Sequence, residues 1–345
     1  MDETPLPLIA GIPGPELDPA TAAALTEVHP LGVILFARNV RSPGQVRELA
    51  AALEELEPAP LVAVDLEGGA VNRLAGLWGT LPSPARAAAS GRRAVRALGE
   101  AAGAACRALG IHLDLAPVVD LAHERGLLAR QGRCLGDEPE RVATLAGVFL
   151  DGLEAWGVGG CLKHFPGLGP VPEDTHEVLP ELAGDAARIA PHLEPFERLA
   201  VRVRAVMVAH VRVPGLGSGE LPATLDREVA MRAAALPGGP VVLSDDLDMG
   251  ALEGVGSLPE RAARALGAGC HGLLVCRSLD ALPEVAARLR AEAEARPGSR
   301  ARLEEAVARL DTLRRELRDA AAALPAPDPE AVAQLWERAR REAEP

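Results

Sequence analysis

Lys163 is the one lysine in a chain whose 36 basic residues are otherwise all arginine, and it opens the stretch Lys163-His164-Phe165-Pro166-Gly167. A lysine ammonium is a compact donor on a flexible stem, whereas a guanidinium is a bulkier planar fork. A tight pocket that hydrogen-bonds a neutral polyol would prefer the former; a GC-rich coding sequence would leave the same bias with no such meaning. Asp174-Thr175-His176 follows after a loop rich in glycine and proline. There a carboxylate two residues before an imidazole can orient the ring and stabilise its protonated form, which suits it to proton transfer near neutral pH. Ser244-Asp245-Asp246-Leu247 closes an apolar run. Side chains alternate in an extended chain, so Val241, Leu243 and Asp245 share one face and Val242, Ser244 and Asp246 the other. Only one of the two aspartates is then easily delivered by the strand itself, unless both merely cap the next helix. Val64-Asp65-Leu66-Glu67-Gly68-Gly69, with Arg73 one turn on, pairs carboxylates with a Gly-Gly that lets backbone approach a ligand. Neither GxGxxG nor GxxxxGK[ST] is present, so this is not a phosphate cradle.

Elements must bring these groups together. Eight short apolar runs recur: 6–11, 32–36, 61–65, 111–116, 160–164, 205–210, 241–245 and 272–276. Between them lie stretches such as 45–56, 92–109, 138–156 and 258–266, with apolar residues three and four apart, which read as crossover helices. Asp226 and Ser257 are placed to cap the helices after them. Strictly alternating strand and helix predicts a parallel sheet covered on both faces, and eight repeats predict a (β/α)8 TIM barrel. No tract of proline or glycine divides the chain, so residues 1–345 read as a single domain, with extra C-terminal helices at about 300–343 packed on the barrel. Chemistry in such barrels gathers where the strands end. Those ends supply Arg38 and Asn39, Asp65 and Glu67, Asp120, Lys163 and His164, His210, Asp245 and Arg277, a polar ring around one mouth.

Composition limits the partners. A formal net charge of -13 without a dense basic run argues against nucleic acid, whose binding depends on neutralising phosphates. No window approaches the ~18 apolar residues of a membrane span, and Met1-Asp2-Glu3-Thr4-Pro5 lacks the cationic start of a leader. Five cysteines without a CxxC pair read as reduced, buried thiols. The expectation is a cytoplasmic protein. Aromatic residues make up 2% of the chain, which argues against an aromatic platform for stacking a sugar.

Gly32-Val33-Ile34-Leu35-Phe36-Ala37-Arg38-Asn39, Asp65-Leu66-Glu67-Gly68-Gly69, Ala116-Pro117-Val118-Val119-Asp120, Lys163-His164-Phe165-Pro166-Gly167, Asp174-Thr175-His176, Ala209-His210 and Ser244-Asp245-Asp246-Leu247-Asp248-Met249 together resemble glycoside hydrolase family 3 in order and spacing. The likeness spans nearly the whole chain and is strongest to its NagZ-type β-N-acetylglucosaminidases. It implies that Asp245 is a nucleophile forming a covalent glycosyl-enzyme with retention. It implies that His176, paired with Asp174 on a mobile loop, is the acid/base, and that Asp65, Arg133, Lys163 and His164, with Arg73 and His210, contact the sugar. It implies no cofactor and no metal, and a terminal β-linked N-acetylglucosamine, typically from a muropeptide in cell-wall recycling, as substrate. Most retaining glycosidases use two carboxyl groups about 5 Å apart; a histidine in place of one removes their mutual repulsion. Three positions depart from the usual pattern: Leu168 where many members have histidine, Leu66 where glutamine is common, and the Gly132-Arg133-Cys134-Leu135-Gly136 setting of the arginine.

Three other chemistries leave motifs unused. A Schiff-base aldolase would employ a strand-end lysine but gives Asp174-x-His176 and Ser244-Asp245 no task. A metal-dependent hydrolase would want clustered ligands such as His-x-His on the first strand, which here reads Leu8-Ile9-Ala10-Gly11. A sugar-binding barrel without turnover would follow if the loop around Leu168 could not deliver His176. Transfer to phosphate in place of water is a variant of the same mechanism, and the sequence leaves the oligomeric state open.

Overall fold

The computed structural model describes Thr4–Glu344; Met1, Asp2 and Glu3, where the reading of the amino-terminal stretch begins, and Pro345 lie outside the described residues. Ten strands form among the described residues: β1 Leu6–Gly11, β2 Pro30–Leu35, β3 Leu61–Val64, β4 Leu66–Gly68, β5 Val71–Asn72, β6 Leu113–Asp114, β7 Gly159–Phe165, β8 Ala205–Val208, β9 Val241–Ser244 and β10 Leu273–Val275. Eight of them make one sheet in the order β10-β1-β2-β3-β6-β7-β8-β9, parallel at every step. The sheet closes on itself through the Leu243–Gly272 bridge and through the amides of Ser244 and Leu247, which donate to the carbonyls of Gly272 and Leu274. This is the expected (β/α)8 barrel, and each of the eight apolar runs contributes one of its strands. The remaining two strands, β4 and β5, pair as a small antiparallel hairpin beyond the end of β3.

Alternation along the strands sorts the core into two clusters. Ile9, Ile34, Leu115, Met207, Leu243 and Leu274 belong to the cluster inside the barrel, and the residues between them pack outward against the helices. Small residues bring the outer helices close: a Cβ on Gly99 would lie 2.3 Å from the Phe149 carbonyl oxygen, and one on Gly152 would lie 2.5 Å from the Glu100 amide. Helices Arg92–Ala108 and Pro139–Glu154 thus meet backbone to backbone, which is how a core poor in aromatics still fills its volume. The capping expectations hold: Asp226 accepts from the Glu228 amide, and Ser257 forms a capping box with Glu260.

The segment after about residue 297 folds into two helices, Pro297–Ala322 and Pro329–Glu342. Only the second lies on the outside, where buried Trp336 meets Trp78 with ring centroids 5.4 Å apart and donates from Nε1 to the Gly79 carbonyl. The first crosses the end of the barrel at which the strands begin, and its Leu310, Leu313 and Leu317 join the interior cluster. It closes the floor of the barrel, a different placement from a helix packed around the side.

Candidate active site

At the opposite end, where the strands finish, a cavity of about 340 Å³ opens. Its floor is the top of the barrel core, Ile34, Leu115, Met207 and Leu274, and its walls carry Asp65, Arg73, Arg133, Lys163, His164, Asp174, His176, Asp245 and Asp246. Eight of the nine residues expected in the site therefore share one cavity. The ninth does not line it: His210 is fully buried behind the wall, with Nδ1 2.8 Å from Thr224 Oγ1 and Nε2 2.9 Å from the Asp246 carbonyl oxygen. That carbonyl only accepts, so Nε2 carries a proton. His210 braces the loop that carries Asp245 and Asp246, and it lies outside the cavity wall where a sugar contact was expected.

Lys163 rises from β7 into a pocket where it is 2% exposed, and its Nζ lies 2.7 Å from both Asp65 Oδ1 and Glu67 Oε1. Arg133 grips Glu67 with both arms, Nε to Oε2 at 2.8 Å and Nη2 to Oε1 at 2.7 Å. Burial alone would push the Glu67 carboxyl up, but the Lys163 and Arg133 charges outweigh it and hold it well below the usual carboxylate range. Burial likewise works against the Lys163 ammonium, and Asp65 with Glu67 overturns it, so the ammonium stays charged. Two of its three N–H donors are spent on these carboxylates, leaving one for a ligand. Arg73 Nη2 stands 3.7 Å from the other Asp65 oxygen.

His164 is aimed in the same manner. Asp120 accepts from its Nδ1 at 2.7 Å and from its backbone amide at 3.0 Å, which turns Nε2 away from the anchor. The other Asp120 oxygen accepts from the Leu168 amide at 2.6 Å. This tie uses the backbone, so leucine in place of histidine at 168 keeps the loop anchored. Sequence reasoning set Glu67 and Asp120 in the polar ring but not among the site residues; the signal was their position at strand ends, and what was hidden was that they hold the cations and imidazole from behind. Phe36 also lines the cavity, yet the Arg38 guanidinium lies 4.5 Å from its ring centroid and covers it.

Asp245 and Asp246 both follow the last residue of β9 and both reach the cavity, so strand alternation does not exclude Asp246 as expected. Asp245 Oδ1 accepts from the Asp246 amide at 2.8 Å. Burial would raise its carboxyl; His210, His164, that amide and Lys163 outweigh burial and keep it below its ordinary value, ionised. Burial, with the Asp248 and Asp245 charges beside it, pushes Asp246 up to about 6, outweighing the amides of Asp248 and Cys276 that donate to its Oδ1 at 3.0 and 3.1 Å.

His176 stands on the open side of the cavity with its side chain 61% exposed, its Nδ1 2.7 Å from Asp174 Oδ1. Burial would raise the Asp174 carboxyl, but the hydrogen bonds from the His176 amide and ring bring it below its ordinary value. Since that carboxylate is ionised, Nδ1 donates to it, and Nε2 is the nitrogen left to give or take a proton. Among the described residues no cluster of three or more histidine, cysteine or acidic side chains is arranged to hold a metal ion.

Barrel and cavity together define an enzyme that takes a small polar molecule into the mouth of a (β/α)8 fold. Residues 12–313 match the glycosyl hydrolase family 3 N terminal domain, and the chain belongs to glycoside hydrolase family 3. It is 40% identical over 254 residues to a beta-hexosaminidase of Pseudomonas aeruginosa, covering 71% of this chain and 74% of that one. It is 38% identical to a beta-hexosaminidase of Thioalkalivibrio sulfidiphilus, over 82% and 83% of the two chains. NagZ from Neisseria gonorrhoeae, solved with N-trifluoroacetyl-D-glucosamine, superposes with a TM-score of 0.74 at 28% identity, covering 97% of this chain and 90% of that one. A family 3 beta-N-acetylglucosaminidase from Paenibacillus superposes with a TM-score of 0.86 at 29% identity, over 97% of this chain and 67% of that one.

Proposed function

We propose that this glycoside hydrolase is a retaining exo-β-N-acetylglucosaminidase with Asp245 as nucleophile and His176 as acid/base. The observation that carries the reading is that both groups open onto one cavity, together with Asp65, Arg133, Lys163 and His164. The names of the relatives support the sugar, and the dead-ended cavity, at the small end of ligand sites, supports removal of one terminal residue. In the first step a carboxylate oxygen of Asp245 bonds to the anomeric carbon, the bond to the aglycone oxygen breaks, and Nε2 of protonated His176 gives that oxygen its proton. In the second, neutral His176 takes a proton from water, the water oxygen bonds to the anomeric carbon, and the Asp245 carboxylate leaves. Asp174 holds the ring in the one tautomer that serves both steps. Lys163, Arg133, His164 and Asp65 bind the ring hydroxyls, preorganised by Glu67 and Asp120.

Water is the acceptor. The cavity wall presents Asp65, Glu173, Asp174, Asp245 and Asp246 against Lys163, Arg133 and Arg73, and Lys163 and Arg133 are already engaged by Asp65 and Glu67. A phosphate dianion entering beside His176 would meet the repulsion of these five carboxylates. The substrate is a β-linked N-acetylglucosaminyl fragment of the cell wall, and the five buried, unpaired thiols suit a reducing cytoplasm.

The test is hydrolysis of chromogenic β-N-acetylglucosaminide and β-glucoside side by side, with and without phosphate, by the protein and two variants. Asp245→Ala is expected to abolish turnover with the fold intact. His176→Ala is expected to lose about 10²- to 10⁴-fold, and less when the leaving group needs no proton. More than a few per cent residual activity in the first, or an equal loss on both leaving groups in the second, refutes the assignment; a sugar-1-phosphate product refutes the choice of acceptor.

A further inference from the structure

The geometry points to Gly250 as the positioning residue for the acid/base: its amide, and the lack of a side chain on it, seat His176 against the loop that carries the nucleophile. This rests on the roles given to His176 and Asp245 above. The stretch from Glu173 to Leu179 receives, among the described residues, two hydrogen bonds from outside itself: Gly250 N–H donates to the His176 carbonyl at 3.0 Å, and Ala251 N–H donates to the Thr175 carbonyl at 3.3 Å. Its other ties are internal, the Glu177 and Val178 amides to the Asp174 carbonyl and the His176 amide and ring to the Asp174 carboxylate. The acid/base backbone is therefore docked at one place.

The other side of the seat is fixed. Leu247 N–H donates to the Leu274 carbonyl. Asp248 accepts from Ser278 Oγ at 2.7 Å and the Arg277 amide at 2.8 Å. Gly250 thus moves with the barrel and with Asp245, five residues before it. Contact is possible because nothing stands between the backbones: a Cβ at 250 would lie 2.6 Å from the His176 carbonyl oxygen and 3.0 Å from that of Glu177. Both are backbone atoms of the loop that delivers the proton, so even a methyl group has to displace it. Gly254, in the same short 3-10 helix Gly250–Val255, has nothing within 4 Å of such a Cβ.

The experiment compares Gly250→Ala with Gly254→Ala on two N-acetylglucosaminides, one with an alkyl or sugar leaving group and one with 2,4-dinitrophenolate, reading kcat/KM so that only the first chemical step is reported. The alkyl substrate needs its departing oxygen protonated and the dinitrophenyl substrate does not. Gly250→Ala should lose about 10²-fold on the former, the scale of a misplacement of about 1 Å, and much less on the latter, while Gly254→Ala matches the parent on both. Equal losses on the two substrates, or no loss on either, overturn the proposal. If Gly250→Ala does not fold, amide hydrogen exchange of the parent decides: a protected Gly250 amide supports the seat, and one exchanging as fast as a free loop removes it. Parent protein inactive on both substrates would instead overturn the functional reading.

Discussion

Lys163 sits at the centre of the site's charged network, between Asp65 and Glu67. Its Nζ is held by two carboxylates in a pocket that leaves it 2% exposed, and a guanidinium, wider and with its donors fixed in a plane, cannot reproduce both contacts in that space. Lys163→Arg is expected to raise KM by about tenfold or more, the worth of a charge-assisted hydrogen bond, in steady-state assays on an aryl N-acetylglucosaminide; unchanged kinetics would return the lone lysine to codon composition. Most of the residues that line the cavity were legible because they stand in short motifs at or beyond strand ends. Their supports were not. Glu67 meets Arg133 across 66 positions of sequence, and nothing in Asp-Leu-Glu says that the second acid faces inward. His210 shows the converse, a strand-end histidine that reads as a contact and is instead tied off by Thr224 and a backbone carbonyl.

At the scale of elements, each barrel strand was visible as an apolar run because a parallel strand buries both faces. Boundaries shifted where the run outlasts the pairing: residues 111–116 yield only Leu113–Asp114 as β6. The hairpin β4–β5 carries no such signature, being five residues in all around Gly68 and Gly69. Helix Pro297–Ala322 was legible as one of the extra C-terminal helices but not as the plug of the barrel, since the bottom of a barrel leaves no mark in sequence. Leu310, Leu313 and Leu317 fill that space. Leu313→Ala should cost about 2–5 kcal/mol through the void it leaves, seen as a lower denaturation midpoint, with KM unchanged because the cavity lies at the other end. A shifted KM would mean that the floor and the mouth are mechanically linked.

The whole molecule carries a pH dependence set by buried carboxyl groups. Asp114 faces away from the barrel interior; one oxygen accepts from the Leu66 amide at 2.9 Å, and the other is buried without a partner. Burial pushes this carboxyl from its ordinary 3.8 up to about 8. The folded chain therefore keeps a proton that the unfolded chain gives up, so this contribution to stability is full below the ordinary value and declines as the pH rises through the window to about 8. Glu67 acts in the opposite sense, contributing above its ordinary 4.5 and losing that contribution in acid. Asp114→Asn is neutral throughout; it should melt higher than the parent at pH 8, with the difference shrinking toward pH 5. Parallel melting curves over that range would show that Asp114 is ionised in the folded protein.

Helix Pro297–Ala322 stoppers the barrel at the end opposite the cavity, leaving, among the described residues, one opening. Arrival and departure then share one route: in the proposed mechanism the aglycone has to clear the mouth before water can reach the glycosyl-enzyme from the same side. The freed sugar would be last to leave and would occupy the place the next substrate needs, so accumulating monosaccharide is expected to slow turnover by simple competition.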